Sequence, residues 1–190
     1  VDNGTTDPAV LRLYEERAGR ADFRAEIRPA PFNFAAMANR GAELATGDAI
    51  LLLNNDISVL HADWLAEMVT CLAYRGTGVV GARLLFPNGT LQHAGVGLGL
   101  GGLAGHLHYK ALPSDPGPLG RLQLRNGLSV VTGACMLVTR ACWEAVGGMD
   151  EANFAVAYND VDFCARARKA GFGVVWTPFA TLTHHESASR

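Results

Sequence analysis

The feature that most constrains the fold is a short apolar run that ends abruptly in polar residues. Residues 49–53 are all apolar, and Asn54-Asn55-Asp56 follows them directly. A run of this length, bounded by polar residues, is typical of a central parallel strand that is buried on both faces. The sequence therefore predicts a strand over 49–53 with a carboxylate just beyond its carboxyl end.

Helices and strands alternate along much of the chain. Asn33 is a candidate N-cap, and apolar residues recur with helical spacing from Phe34 up to Gly47. The other predicted helices span 62–74, 141–146 and 159–170, and the other predicted strands span 79–86, 130–139, 174–176 and 180–183. This alternation favours an α/β fold, Rossmann-like, with a mainly parallel central sheet and helices on both faces. Ligands of such sheets bind beyond the carboxyl ends of the strands.

Residues 87–128 differ in character from the rest of the chain. Pro87-Asn88-Gly89-Thr90 predicts a hairpin turn, since an Asn-Gly pair readily takes positive φ. Residues 95–105 are rich in glycine, and residues 111–120 contain three prolines. We interpret 87–128 as long surface loops around a site, where substrate specificity usually lies.

Composition excludes several classes of function. The chain has 190 residues, is 49% hydrophobic and has a formal net charge of -2, which fits one domain with a sizeable core. Because it has no dense run of Lys and Arg, we expect no nucleic-acid partner. Four cysteines without CxxC spacing favour reduced thiols and a cytoplasmic location. No apolar run reaches the roughly 18 residues of a membrane span.

Three polar motifs lie at the ends of predicted elements. The carboxylate of Asn54-Asn55-Asp56 could reach a diphosphate through Mg²⁺ or Mn²⁺, which prefer oxygen ligands, or the motif could simply close the strand as a turn. Asn159-Asp160-Val161-Asp162 begins a helix, where a carboxylate can either cap the helix or act as a base. In His184-His185, neighbouring side chains on a strand point to opposite faces, so at most one histidine serves a given site.

In their order and spacing these motifs resemble those of family 2 glycosyltransferases with the GT-A fold. The segment 1–7 is similar to the nucleotide-binding turn of that family, and Asn54-Asn55-Asp56 to its variant DXD motif. The segment 159–166 resembles the family's segment with the catalytic acid, and 184–187 its C-terminal histidine motif. The segment 89–96 resembles the middle segment of bacterial O-antigen and rhamnan-type transferases.

The resemblance implies an inverting transfer of sugar from a nucleotide diphosphate to an acceptor hydroxyl. Asp160 would be the general base that deprotonates this hydroxyl. Asp56 would hold a divalent cation, Mn²⁺ or Mg²⁺, with His184 as a second ligand. Four residues would bind the nucleotide: Asp2, which contacts the base, and Asn39, Asn54 and Asn55.

The resemblance also implies partners and a location. The donor would be a UDP- or dTDP-sugar, with GDP-mannose left open, and the acceptor a glycan or lipid-linked saccharide for which 87–128 forms the acceptor region. We expect the enzyme in the cytoplasm, with possible peripheral association at the inner face of the plasma membrane, and further domains in the parent chain. Two departures stand out: Asn159 replaces the family's usual Glu, and the first strand of the fold should precede Val1. The alternative is a non-catalytic nucleotide- or glycan-binding fragment of a larger synthase.

Two other patterns have weaker functional readings. Gly97-Leu98-Gly99-Leu100-Gly101-Gly102 fits GxGxxG, but the residues after it are a poor start for the helix that a dinucleotide site requires. His93, His106 and His108 lack the spacing of a zinc site, so we expect them on loops facing acceptor or solvent.

Overall fold

The structure is a computed structural model that describes residues 1–185. The chain divides into two compact units, one made of residues 1–46 with 149–159, the other of residues 47–148 with the chain from Asp160 onward. The single GT-A domain expected over 1–190 stays a prediction, as does a strand before Val1. Glu186 and Ser187 of the C-terminal motif lie outside the described residues.

The first unit contains the helices α1 (Pro8–Arg17) and α2 (Phe34–Leu44). Asp7 caps α1, which the sequence analysis did not predict, and the predicted cap of α2 is confirmed because Asn33 Oδ1 accepts a hydrogen bond from Ala36 N–H. Asp2 pairs in parallel with Ile27 through an isolated bridge, so that the chain enters a turn from an extended segment.

The second unit is built on a seven-stranded sheet. Its central strands lie in the order β1-β8-β3-β9-β2, while β4 pairs with β3 and β7 pairs with β9. The strand bounds are β1 Ala49–Leu53, β2 Ile57–Val59, β3 Thr77–Leu85, β4 Leu91–His93, β5 Val96–Leu98, β6 Ala104–His106, β7 Asn126–Leu128, β8 Cys135–Thr139 and β9 Gly173–His184. The helices are α3 Trp64–Cys71, α4 Arg140–Val146 and α5 Asn159–Lys169.

The α/β class is confirmed, and the sheet is mixed where we expected mainly parallel pairing. β1, β3 and β9 point the same way, but β8 lies between β1 and β3 and runs antiparallel to both. Only β3 and β9 are therefore parallel neighbours among the strands of the described chain. The short strands β2, β4 and β7 add antiparallel pairs, of which only β3 with β4 is a hairpin.

Helices cover both faces of this sheet, as predicted. On one face Met68 and Cys71 of α3 pack in a buried cluster with alternate residues of β3, β8 and β9. On the other face α4 lies so close to β3 that a Cβ on Gly78 would meet Cys142 Sγ. Trp143 of α4 in turn packs on Phe163 of α5, with ring centroids 5.1 Å apart. The sheet is thus buried on both sides, which holds the strand ends in fixed positions.

Two predicted features of the second half are wrong in detail. The short strands expected over 174–176 and 180–183 form one strand, β9, with a bulge where the pairing with β3 shifts from Thr177 to Thr181. The glycine-rich part of the expected loops forms a two-stranded sheet of β5 and β6, in which Gly99 takes φ 81° at the turn. Glycine permits that conformation without steric cost, so this glycine-rich segment can form a hairpin where the composition alone predicted a loop.

All four cysteines are buried and free: Cys71, Cys135, Cys142 and Cys164. Among residues 1–185, none of the helices combines the length and the apolarity that a membrane crossing requires.

Glu67 ties α3 to the sheet through a partly buried carboxylate. Arg125 donates to both of its oxygens, at 2.7 and 2.6 Å, and Thr177 Oγ1–H donates to Oε1 at 2.6 Å. The hydrogen bonds from the Arg125 guanidinium, with a smaller contribution from Thr177, hold the pKa of Glu67 below its usual value despite burial.

We predict that Glu67→Gln lowers the free energy of unfolding at pH 7 by about 1–3 kcal/mol, because it removes charge-assisted hydrogen bonds. A depressed pKa in the folded chain stabilises it above the ordinary value of 4.5, and this contribution is lost as the pH falls through the lower folded value. The difference from wild type should therefore shrink in urea unfolding near pH 3. Glu144→Gln, at an exposed position of α4, is the matched control; an equal loss there would contradict the role of Glu67.

Candidate active site

The register of two strands brings together residues 128 positions apart in the chain. Asn54 N–H donates to Ala134 O, which extends the pairing of β1 with β8 beyond the strand end. Ile57 of β2 then pairs with His184 of β9, and Asp56 O accepts from His185 N–H. The carboxylate after β1 and the histidine at the end of β9 are thus adjacent.

Asp56 and His184 face each other with two hydrogen-bond acceptors. Asp56 Oδ1 lies 3.1 Å from His184 Nε2, and the two side chains are 18% and 12% exposed. His184 Nδ1 lies 2.7 Å from Gln92 Oε1, an acceptor, so we assign a proton to Nδ1; in the neutral imidazole this leaves the lone pair on Nε2. Asp56 Oδ1 is buried and has no hydrogen-bond donor among the described residues. The spacing to Nε2 is therefore a close approach of two acceptors.

This arrangement fits a divalent cation. Ligand atoms in adjacent positions around an octahedral Mg²⁺-sized ion are about 3.0 Å apart, and Oδ1 and Nε2 are 3.1 Å apart. Within residues 1–185 no group of three or more His, Cys, Asp or Glu side chains could hold a metal by itself. A hard ion with only two protein ligands completes its shell with phosphate oxygens and water, which is common for Mg²⁺ in phosphate sites.

His185 lies on the other side of β9, as strand geometry predicts. Its Nε2 is 2.8 Å from Ser58 Oγ, away from Asp56. Asn54 is part of the site, since its Nδ2 approaches His184 Nε2 at 3.4 Å. Asn55 is exposed in the turn between β1 and β2.

Asp160 and Asp162 have different surroundings. Asp160 Oδ2 accepts from Gly133 N–H at 3.0 Å and Oδ1 from Val161 N–H at 2.8 Å, so that backbone groups alone hold the half-buried carboxylate. Asp162 is bound by Arg166 at 2.6 Å, and the same guanidinium also donates to two backbone carbonyls. Of the two acids, only Asp160 lacks a cationic partner among the described residues.

A pocket of about 430 Å³ lies beside this pair of motifs. It is lined by Gln92, His93, His106, Tyr109, Thr132 and His184. His184 is shared with the Asp56 pair, and Thr132 precedes Gly133, to which the Asp160 carboxylate is bonded. The pocket therefore adjoins both the candidate cation ligands and the candidate base.

His93 is buried, lines this pocket and lies on β4, where we expected a loop histidine facing acceptor or solvent. Its Nε2 accepts from Thr132 N–H at 3.3 Å, and its Nδ1 is 3.1 Å from His106 Nδ1. Burial, with smaller contributions from His106 and His184, holds the pKa of His93 well below its usual value, so the ring is neutral at pH 7. His106 also lines this pocket, whereas His108 does not.

The two predicted nucleotide residues of the first unit are both engaged there. Asp2 accepts from Gly4 N–H, Thr5 N–H and Tyr14 O–H; burial opposes its ionisation, but these bonds, that from Thr5 foremost, leave its pKa below the usual value. Asn39 bonds the backbone of Met149 through both its amide oxygen and its amide nitrogen. Their contacts to a nucleotide stay predictions.

Comparison with known proteins identifies the family. The model of the family described as "Glycosyltransferase like family 2" matches residues 7–190. The chain belongs to this family. The glycosyltransferase shares 44% identity over 192 residues with the uncharacterised protein y4gI of Sinorhizobium fredii, which covers 100% of the chain and 21% of y4gI. It shares 45% identity over 163 residues with the O-antigen biosynthesis protein RfbC of Myxococcus xanthus, or 84% of the chain and 12% of RfbC. The chain thus spans at most 21% of the length of these relatives.

Two solved structures share the fold of this glycosyltransferase. The mannosyltransferase PcManGT from Pyrobaculum calidifontis, in complex with GDP-Man and Mn²⁺, has a TM-score of 0.67 and 16% identity, over 99% of this chain and 47% of that one. GalNAc-T7 with UDP, GalNAc and Mn²⁺ has a TM-score of 0.71 and 14% identity, over 97% and 36%. At these identities the likeness shows the fold, and it confirms the expected GT-A architecture.

Sequence reasoning missed several residues that line the site. Thr132 carried no recognisable motif. Gln92 and His93 lie in the segment 89–96, whose resemblance gave neither of them a role, and His93 was expected on a loop facing acceptor or solvent. The available signal was the hairpin turn at Asn88-Gly89, which returns the chain as β4 alongside β3 and so carries Gln92 and His93 to the pocket.

We predict that Asp162→Asn destabilises the fold more than Asp160→Asn does. The first change removes the ion pair with Arg166 and should cost about 1 kcal/mol, whereas an asparagine at 160 keeps an oxygen for the Gly133 N–H and should cost less than about 0.5 kcal/mol. Urea unfolding at pH 7 measures both. A larger loss for Asp160→Asn would show that Asp160 has mainly a structural role.

Proposed function

We propose that the chain carries the donor site and the base of an inverting glycosyltransferase that uses a divalent cation. The observation that carries the proposal is the buried pair of acceptors, Asp56 Oδ1 and His184 Nε2, which are 3.1 Å apart with no proton donor between them. Such a pair is unfavourable by itself, because Asp56 Oδ1 loses hydration without gaining a donor and faces a second acceptor. A cation is the group that both atoms can bind.

The proposed donor is a nucleotide-diphosphate sugar. The two structures of the same fold hold GDP-Man with Mn²⁺ and UDP with Mn²⁺, which supports this class of donor. When bound by Asp56 and His184, Mn²⁺ or Mg²⁺ would neutralise charge on the departing diphosphate. Asn54, whose amide nitrogen is near Nε2 of His184, would contribute to the same end of the site.

Asp160 is the proposed general base. Its carboxylate is oriented by two backbone N–H groups and is free of the arginine that holds Asp162. It would accept the proton of an acceptor hydroxyl while that oxygen attacks the anomeric carbon and the diphosphate leaves with the electron pair of the broken bond. This single displacement inverts the anomeric centre. Asn159 is buried and donates to Val156 O, so we assign it a structural role.

The proposed acceptor is a glycan or a lipid-linked saccharide in cell-surface polysaccharide synthesis. The identity with a protein of O-antigen biosynthesis supports this class. The pocket beside Asp160 would take the acceptor or the transferred sugar. A cytoplasmic site of action, at the inner face of the plasma membrane when the acceptor is lipid-linked, follows from the same proposal.

We predict that Asp160→Asn lowers the transfer rate by about 10²–10⁴-fold, the usual contribution of a positioned base. Transfer is followed as nucleotide release from UDP-, dTDP- and GDP-sugars with saccharide acceptors and Mn²⁺. Nucleotide affinity in the variant should be within about threefold of wild type, since the hydrogen bonds of the carboxylate are to Gly133 and Val161 and not to the proposed cation ligands.

Asp162→Asn is the matched control, with the same chemical change two residues along α5. It should keep most of the transfer rate under conditions where it is folded. Full activity of Asp160→Asn would show that the base is elsewhere. Nucleotide binding without transfer by the wild type, across all donors and acceptors, would favour the non-catalytic binding module.

A further inference from the structure

Gln92 occupies an irregular position in the sheet. Along β3, Leu84 and Leu85 are consecutive, but their partners on β4 are His93 and Leu91, so that Gln92 is the extra residue of a β-bulge. A bulge bends the strand and re-aims the side chain of the extra residue. The Gln92 side chain is only 4% exposed and lines the pocket next to His184.

The bulge brings the Gln92 amide oxygen onto the histidine at the end of β9. Leu85 of β3 pairs with Leu91 of β4 on one side and with Thr183 of β9 on the other. Gln92 comes directly after Leu91, and His184 directly after Thr183. The resulting contact joins Gln92 Oε1 and His184 Nδ1 at 2.7 Å. An amide oxygen can only accept, which requires a proton on Nδ1.

We propose that Gln92 is a positioning residue that fixes the tautomer and the ring orientation of His184, so that the lone pair of Nε2 points at Asp56 Oδ1. This inference rests on the proposed function, because it makes Gln92 the outer partner of a cation-ligating histidine. Outer partners of this kind set which ring nitrogen is available to a metal. Without the amide oxygen, the proton can move to Nε2 and form a hydrogen bond to Asp56, which closes the site to a cation.

Three variants separate this role from a structural one. Gln92→Met removes the acceptor while keeping a side chain of similar length, and Gln92→Glu keeps an oxygen that can accept the Nδ1 proton. Asp56→Ala removes the carboxylate and tests the cation site itself. Urea unfolding in the absence of metal verifies that each variant is folded.

The first readout is the tautomer of His184, followed by ¹⁵N–¹H correlation of histidine side chains without metal. We expect the Nδ1-protonated form in the wild type and in Gln92→Glu, and a mixture or the Nε2-protonated form in Gln92→Met. The same tautomer in Gln92→Met as in the wild type would overturn the inference, whatever the outcome for metal binding.

The second readout is Mn²⁺ affinity, measured from the free-ion electron paramagnetic resonance signal. Loss of an outer partner typically weakens metal binding about 10–100-fold, and we expect this loss in Gln92→Met with recovery in Gln92→Glu. Mn²⁺ binding that is lost in Asp56→Ala but intact in Gln92→Met would overturn the role of Gln92 alone. Mn²⁺ binding that Asp56→Ala does not weaken would overturn the proposed cation site.

Discussion

The site depends on the register in which β2 pairs with β9. Ile57 opposite His184 places Asp56 and His184 side by side, although one follows the strand β1 and the other lies near the end of the described chain. Side chains alternate along a strand, so a slip of one residue would turn the His184 side chain to the opposite face, away from Asp56. The long parallel pairing of β3 with β9, buried under helices on both faces, prevents such a slip.

Two kinds of polar burial occur in the same unit. Glu67 is partly buried with both carboxylate oxygens hydrogen-bonded, and it stabilises the contact between α3 and the sheet. Asp56 Oδ1 is buried without a donor and faces a second acceptor. An unsatisfied buried acceptor costs about 1–3 kcal/mol. The first arrangement stabilises the fold, and the second is the observation on which the proposed cation site rests.

Much of the fold could be predicted because local signals and the tertiary structure agree. The apolar run of β1, the cap at Asn33 and the Asn88-Gly89 turn each specify an element by short-range physics. The position of β8, antiparallel between β1 and β3, could not be predicted. An apolar run looks the same in the sequence whatever the direction and order of the buried strand in its sheet. The β5–β6 hairpin was missed because glycine carries no side-chain pattern.

The candidate site was predictable where chemistry is concentrated in motifs. Asp56, Asp160 and His184 stand at element ends, and a resemblance to a family supplied their roles, which stay proposals. Gln92 reaches the site because of a bulge in β4, and Thr132 is placed there by the hydrogen bond from its backbone N–H to His93 Nε2. Both features bring together segments that are distant in the sequence. Such neighbours are set by register, and register follows from the packing of the whole sheet.

The central claim, a nucleotide site that uses a cation held by Asp56, is tested most directly by thermal unfolding with UDP, dTDP and GDP, each with and without Mn²⁺. A ligand at about 100 times its dissociation constant adds about 2.7 kcal/mol, and each kcal/mol raises the midpoint by about 2–4 °C in a chain of this size. The account predicts a rise of several degrees that requires Mn²⁺, occurs with one nucleotide class and is lost in Asp56→Ala. A rise that persists unchanged in Asp56→Ala, or no rise with any nucleotide and Mn²⁺, would contradict it.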